Sequence, residues 1–169
     1  TPILAFTTEE IWRYIPKAPG APVSVQLAGW PEVNQNYLDE NLEKKWEKLI
    51  AVRDEVDKVL EVARQEKAIG NSLNAKVCLY AESRGYEFLK DMEEDLPTIF
   101  IVSAVTLEKA EEAPADAVAA SQLEGLKLKV EAAPGEKCER CWNHSTSVGE
   151  DSDHPTLCRR CAEVVKTLV

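Results

Sequence analysis

The chain has 169 residues, 44% of them hydrophobic, and a formal net charge of −10; no apolar run approaches the length that crosses a bilayer, so it reads as a soluble chain with material for one or two modest cores. The acidic balance repels phosphate backbones at long range and excludes a general nucleic-acid binder, which is usually basic. Any such contact must be local, and from Pro134 to Val169 five Lys/Arg stand against six Asp/Glu, so that end is the least repulsive part.

Taken in order, the chain opens Thr1-Pro2-Ile3-Leu4-Ala5-Phe6 without an initiator Met and reads as the C-terminal piece of something larger. Thr7, with Glu10 three residues on, predicts a capping box opening a short helix through Ile11 and Trp12, stopped by Pro16, Pro19 and Pro22. Val23-Ser24-Val25-Gln26-Leu27 alternates and is expected to be extended. Trp30-Pro31 is expected to pack back on the helix, with both Trp12 and Trp30 in a core. From Asn36 or Tyr37 to Glu66, apolar residues fall at steps of three, four or seven: Leu38, Leu42, Trp46, Leu49, Ile50, Val56, Val59, Leu60 and Ala63. This spacing predicts one amphipathic helix about 40 Å long. Its other face mixes acids and bases and reads as solvated. Gly70 is expected to end the helical region.

An α/β pattern follows. Ala75 to Ala81 reads as a strand, Gly85 to Glu94 as a helix, Phe100 to Val105 as a second strand and Leu126 to Val130 as a third, with the Ala/Glu-rich segment Glu108 to Ala120 as a loop. The predicted fold class is α+β: a small sheet with the long helix against it. Cys78, inside the first strand, is expected to be a small core residue.

The last part carries two Cys-x-x-Cys pairs, Cys138-Glu139-Arg140-Cys141 and Cys158-Arg159-Arg160-Cys161, sixteen residues apart. Each pair lets the backbone fold into a knuckle with both sulfurs facing one point. Two knuckles supply the four tetrahedral ligands of a Zn²⁺ ion, leaving no open position, so the metal is structural. Two disulfides would need an oxidising compartment, and Cys78 leaves the count odd. His144 and His154 can replace a thiolate in principle, but four cysteines suffice. Trp142 follows a ligand directly, where a knuckle has little room for a large ring; it either stacks on an unstacked RNA base or forms the core of a very small module. Arg140 offers a forked donor to a base edge or phosphate. Arg159, Arg160 and Lys166 are weaker phosphate candidates.

The run Pro2 to Trp12, with Ser24-Val25-Gln26-Leu27 and Trp30-Pro31, resembles the end of the anticodon-binding helical domain of class I aminoacyl-tRNA synthetases for branched aliphatic amino acids. Trp46 to Arg64, Lys67-Ala68-Ile69-Gly70-Asn71-Ser72-Leu73-Asn74-Ala75-Lys76-Val77 and Ile101-Val102-Ser103 are similar to the C-terminal extension of the bacterial isoleucyl-tRNA synthetases. Cys138-Glu139-Arg140-Cys141-Trp142 with Cys158-Arg159-Arg160-Cys161 resembles their zinc finger. The resemblance implies three parts: 1–36, the end of the helical domain; 37–132, an α/β junction domain; and 133–169, the finger. It implies a non-catalytic part that recognises the anticodon arm of isoleucine tRNA in a cytoplasmic, monomeric ligase. ATP and isoleucine belong to a catalytic domain outside this chain, since neither the HIGH nor the KMSKS motif is present. Two other functions share the finger spacing: a DNA-binding unit like that of formamidopyrimidine-type glycosylases, and a zinc-stabilised protein-interaction module.

Overall fold

The computed structural model describes residues 1–168, which divide into two compact units, 1–40 and 41–168. In the first unit, helix α1 spans Ala5–Tyr14 and buries no residue. It begins ahead of the predicted cap: Leu4 is the N-cap, and Thr8 lies within the first turn, its hydroxyl donating to the Leu4 carbonyl at 2.8 Å. Glu9 rather than Glu10 carries the structural role. Its Oε2 accepts from the Ser24 hydroxyl at 2.7 Å and from the Val25 amide at 3.1 Å. Together with the Ser24 oxygen accepting from the Gln26 amide, this turns Val25–Leu27 into a 3₁₀ helix in place of the expected extended segment. Trp12 is half-buried, its indole N–H donating to the Pro22 carbonyl at 3.0 Å. Trp30 is 83% exposed and does not plug a core.

Helix α2 spans Glu40–Gln65. Leu49, Val52, Val56, Leu60 and Ala63 form its buried stripe, at helical steps of three and four. Its first two turns bury nothing, and Trp46 and Ile50, expected on the core face, are about half exposed. The helix ends five residues before Gly70. Lys67 adopts φ 60°, the Ala68 amide donates to the Ala63 carbonyl and the Lys67 amide to Arg64. This is a Schellman closure in which a lysine holds the left-handed position usually given to glycine.

Against this stripe lies a four-stranded sheet in the order β2-β1-β4-β3, from β1 (Ala75–Ala81), β2 (Ala104–Lys109), β3 (Val118–Ala119) and β4 (Leu126–Ala132). β1 is central, parallel to β2 and antiparallel to β4, and nearly every residue of it is buried. The parallel pair needs a crossover, which α3 (Ser83–Lys90) and α4 (Leu96–Phe100) provide. α4 replaces the start of the strand predicted over 100–105. Pro97 sits in its first turn, where a missing N–H costs nothing, and Ile101 then takes φ 56° as its left-handed cap. The strand therefore starts only at Ala104. Val77, Leu79, Leu89, Leu96, Phe100 and Leu128 fill the core with the α2 stripe. Cys78 is buried within β1, as its strand position predicts.

Among the described residues of this unit, one side-chain carboxylate is buried. Glu55, 3% exposed on α2, accepts from the Ser121 amide at 2.6 Å, the Ser121 hydroxyl at 2.9 Å and the Lys58 ammonium at 2.6 Å. It ties the connection before β4 to the long helix. The Lys58 hydrogen bond is the largest influence on it and, with those from Ser121, outweighs burial, holding its pKa down at about 2.

Candidate metal centre and nucleic-acid interface

After β4 the chain forms a two-stranded hairpin, β5 (Glu136–Lys137) paired with β6 (His144–Ser145), and later helix α5 (Arg159–Lys166). Gly135 admits the hairpin. At φ 82°, a Cβ there would stand 2.2 Å from the Ser145 carbonyl carbon, so only glycine lets the two backbones approach. The hairpin turn is the first knuckle. It is closed by the Trp142 amide donating to the Cys138 carbonyl at 2.8 Å and the Cys138 amide donating to Asn143 at 2.9 Å. The second knuckle is the start of α5, with Cys158 as N-cap and Cys161 in the first turn.

The sulfurs of Cys138, Cys141, Cys158 and Cys161 lie within 4.8 Å of one another, and those of Cys141 and Cys158 are 3.9 Å apart. In a tetrahedron of Zn–S bonds near 2.3 Å, sulfurs stand about 3.8 Å apart, whereas a disulfide brings them to about 2 Å. The donor set fits zinc. Backbone dipoles serve the same end: the Cys158 amide donates to the Cys138 sulfur at 3.3 Å, and the Cys161 amide, in the first turn of α5, donates to the Cys158 sulfur. Burial pushes the Cys138 thiol up, yet the backbone amides of Cys141, Cys158 and Arg140 prevail and hold it at about 6. Cys158, dominated by burial, is pushed up to about 12. Thiols so divided cannot all ionise alone; a dication supplies the charge that lets them. Bound there, zinc fills its shell with sulfur and supplies cohesion, not catalysis.

The structure places the five basic and aromatic candidates unequally. Arg140 Nη1 donates to the Cys161 sulfur at 3.6 Å, and the Arg160 guanidinium is raised in pKa above all by its hydrogen bond to Cys141. Two guanidiniums thus lie beside sulfurs that carry about −2 with zinc bound. Arg159 donates through Nε and Nη2 to Glu150 at 3.0 and 2.7 Å, and Lys166 pairs with Asp151. Trp142 is different. It takes φ 67°, which turns its side chain out of the knuckle, and it is 62% exposed with the Lys137 ammonium 5.3 Å from its ring centre. That leaves a flat ring with a cation at its face. Lys137 was not singled out in the sequence; its position one residue before the first ligand, matching Trp142 one residue after the second, is the signal that points to it. His144 is no ligand, since both ring nitrogens are engaged elsewhere, and His154 lies outside the sulfur cluster.

Two family profiles match. Residues 135–164 match the zinc finger found in FPG and IleRS, and residues 1–79 the anticodon-binding domain of tRNA ligase. Nearly the whole chain aligns with isoleucine–tRNA ligases: 58% identity over 169 residues for that of Moorella thermoacetica, covering 99% of this chain, and 55% over 166 residues for that of Desulforamulus reducens, covering 98%. The chain matches the C-terminal region of the isoleucine–tRNA ligases. The Geobacter sulfurreducens ligase is 48% identical over 165 residues, 98% of the chain. The chain spans only about a fifth of the curated relatives' length, 17 to 18% in these three cases. The anticodon-binding match thus covers the start of the chain, and the zinc-finger match covers the segment that gathers the four cysteines. No described helix is long and apolar enough to cross a membrane.

Proposed function

We propose that this region recognises the anticodon arm of isoleucine tRNA, for a ligase that joins isoleucine to that tRNA with ATP in a catalytic domain outside the chain, working as a cytoplasmic monomer. In this reading 1–36 closes the helical anticodon-binding domain, 37–132 is the junction and 133–169 the finger, with Cys138, Cys141, Cys158 and Cys161 holding one structural zinc. The observation that carries it is Trp142. A tryptophan directed outward by a left-handed backbone, with a lysine over its ring, is a stacking surface for one unpaired base and a charge for its phosphate. Arg159 and Lys166 reach phosphate by exchanging surface pairs, which contribute little to stability. Arg140 and Arg160 act mainly on the sulfurs and add positive potential behind the ring. The acidic remainder of the chain supports a local contact over a diffuse one.

The test compares Trp142→Ala with the parent in the full-length protein. Stacking of one base contributes about 1–3 kcal/mol, so charging of tRNA is expected to weaken by that amount while amino-acid activation with ATP stays unchanged. Equal losses in the two reactions, or tighter binding to duplex DNA than to tRNA, would overturn the reading.

A further inference from the structure

Four cysteines gather the finger at one point, but the finger also has to be aimed. Three residues outside the sulfur cluster meet where the hairpin joins the sheet. The turn Ser72–Asn74 leads into β1, and the Asn74 carbonyl accepts from the Ala133 amide at 2.8 Å, where the chain leaves β4 for the finger. The Asn74 side-chain oxygen accepts from the Asn71 amide at 2.9 Å, which fixes the amide so that its Nδ2 faces outward, 3.1 Å from His144 Nε2. The other ring nitrogen, Nδ1, is 3.1 Å from the Gly135 carbonyl, which can only accept. Nδ1 is therefore the donor, to Gly135, and Nε2 the acceptor, from Asn74. The His144 backbone amide donates to the Ser103 hydroxyl at 2.7 Å, and that hydroxyl donates onward to the Leu73 carbonyl at 2.6 Å.

We propose that Asn74, Ser103 and His144 form a latch that fixes the orientation of the zinc hairpin on the sheet, and with it the direction in which Trp142 points. The latch joins three separate segments: the turn before β1, the approach to β2 and the first residue of β6. Each hydrogen-bonding group has a partner of matching polarity, so the network is directional from Asn71 through His144 to Gly135, and a change at one end is felt at the other. The three are positioning residues. None contacts the sulfurs, and their consequence for RNA rests on the reading of Trp142 given above.

The first experiment is nitrogen-15 spectroscopy of the zinc-loaded chain, which reports the imidazole tautomer directly. The expected result is the Nδ1-protonated neutral ring at His144, converting to a mixture in Asn74→Ala. A ring protonated on Nε2 overturns the latch. The second uses the full-length protein with zinc content verified. Ser103→Ala and His144→Ala are expected to raise KM for tRNA about tenfold with kcat within about twofold and ATP-dependent activation unchanged; Ser103→Thr, which keeps the hydroxyl, is expected to restore KM. Ser103 lies outside the finger, so that variant separates aim from metal binding. If Trp142→Ala raises KM and the latch variants do not, the latch is overturned and the Trp142 reading stands. If neither raises it, both are overturned.

Discussion

Two stretches of this chain are too short to build a core, and they are held in shape in opposite ways. The finger gathers Cys138, Cys158 and Cys161 to burial with Cys141 beside them, and adds Val148 and Leu157 as thin apolar cover. The first forty residues bury nothing, and leave Ile3, Phe6, Tyr14, Val23 and Trp30 more than 80% exposed. Small modules need either a staple or a neighbour. The finger has its staple in four sulfurs and its neighbour in the sheet, through the His144 latch. Residues 1–40 are tied by hydrogen bonds such as Ser24 to Glu9 and Trp12 to Pro22, and carry an apolar surface suited to burial against further protein.

The largest expected effect breaks the staple. Structural zinc in a four-thiolate site contributes on the order of 10 kcal/mol to folding of its module. Chelation, or Cys141→Ser, is expected to abolish amide protection across residues 135–166 while β1, β2 and β4 keep theirs, because their core with α2 contains none of the four ligands. Elemental analysis should give one zinc per chain before chelation. Loss of protection in the sheet at the same chelator concentration would show that the finger and the sheet fold as one.

A smaller effect tests the sheet's own internal staple. Glu55→Ala leaves the Ser121 amide without its acceptor and is expected to cost about 3 kcal/mol of stability, read from denaturant unfolding of the zinc-loaded chain. The pH dependence has a definite sign. Because the carboxyl is held at about 2 when folded and returns to 4.5 when unfolded, its contribution is complete above about pH 4.5 and fades as pH falls toward 2. The parent should lose up to about 3 kcal/mol across that window, and the variant should show a flatter profile there. Identical profiles would remove Glu55 from the account.

How much of this was legible in the sequence follows from which interactions are local. The knuckles were legible because both ligands of each pair lie within one turn, β1 because it is a short, mostly apolar run, and β4 because its side chains begin by alternating with the pleat. The helix was legible to Glu66, one residue past its end at Gln65, but its closure was assigned to Gly70 because Lys67 takes the left-handed position and no residue type announces that. The strand start at Ala104 was misplaced because apolar Phe100, Ile101 and Val102 suit a buried helix end as well as a strand, and Pro97 decides between them. Trp46 and Ile50 fit the helical period yet lie off the buried stripe; the period locates a face but not what covers it. The roles of Asn74, Ser103 and His144 depend on residues up to 70 positions apart, and only the folded chain brings them together.

The smallest effect sharpens the comparison between the two most exposed tryptophans. Trp142 and Trp30 are both largely solvent-accessible, but the first is held by a closed knuckle under a lysine, whereas the second lies in the irregular stretch between the 3₁₀ helices Val25–Leu27 and Gln35–Tyr37, in a unit with no buried residue among those described. Trp30→Ser in the isolated chain therefore removes almost no buried area and is expected to change unfolding free energy by less than about 0.5 kcal/mol. In the full-length protein the same substitution is expected to lower the stability by about 1 kcal/mol or more, because exposed apolar side chains of this number are suited to burial against further protein and burial of a large ring contributes on that scale. The two measurements decide what residues 1–40 rely on. A loss in the isolated chain equal to that in the full-length protein would mean that the segment already supports its own tryptophan, and its apolar surface would then need no neighbour to explain it.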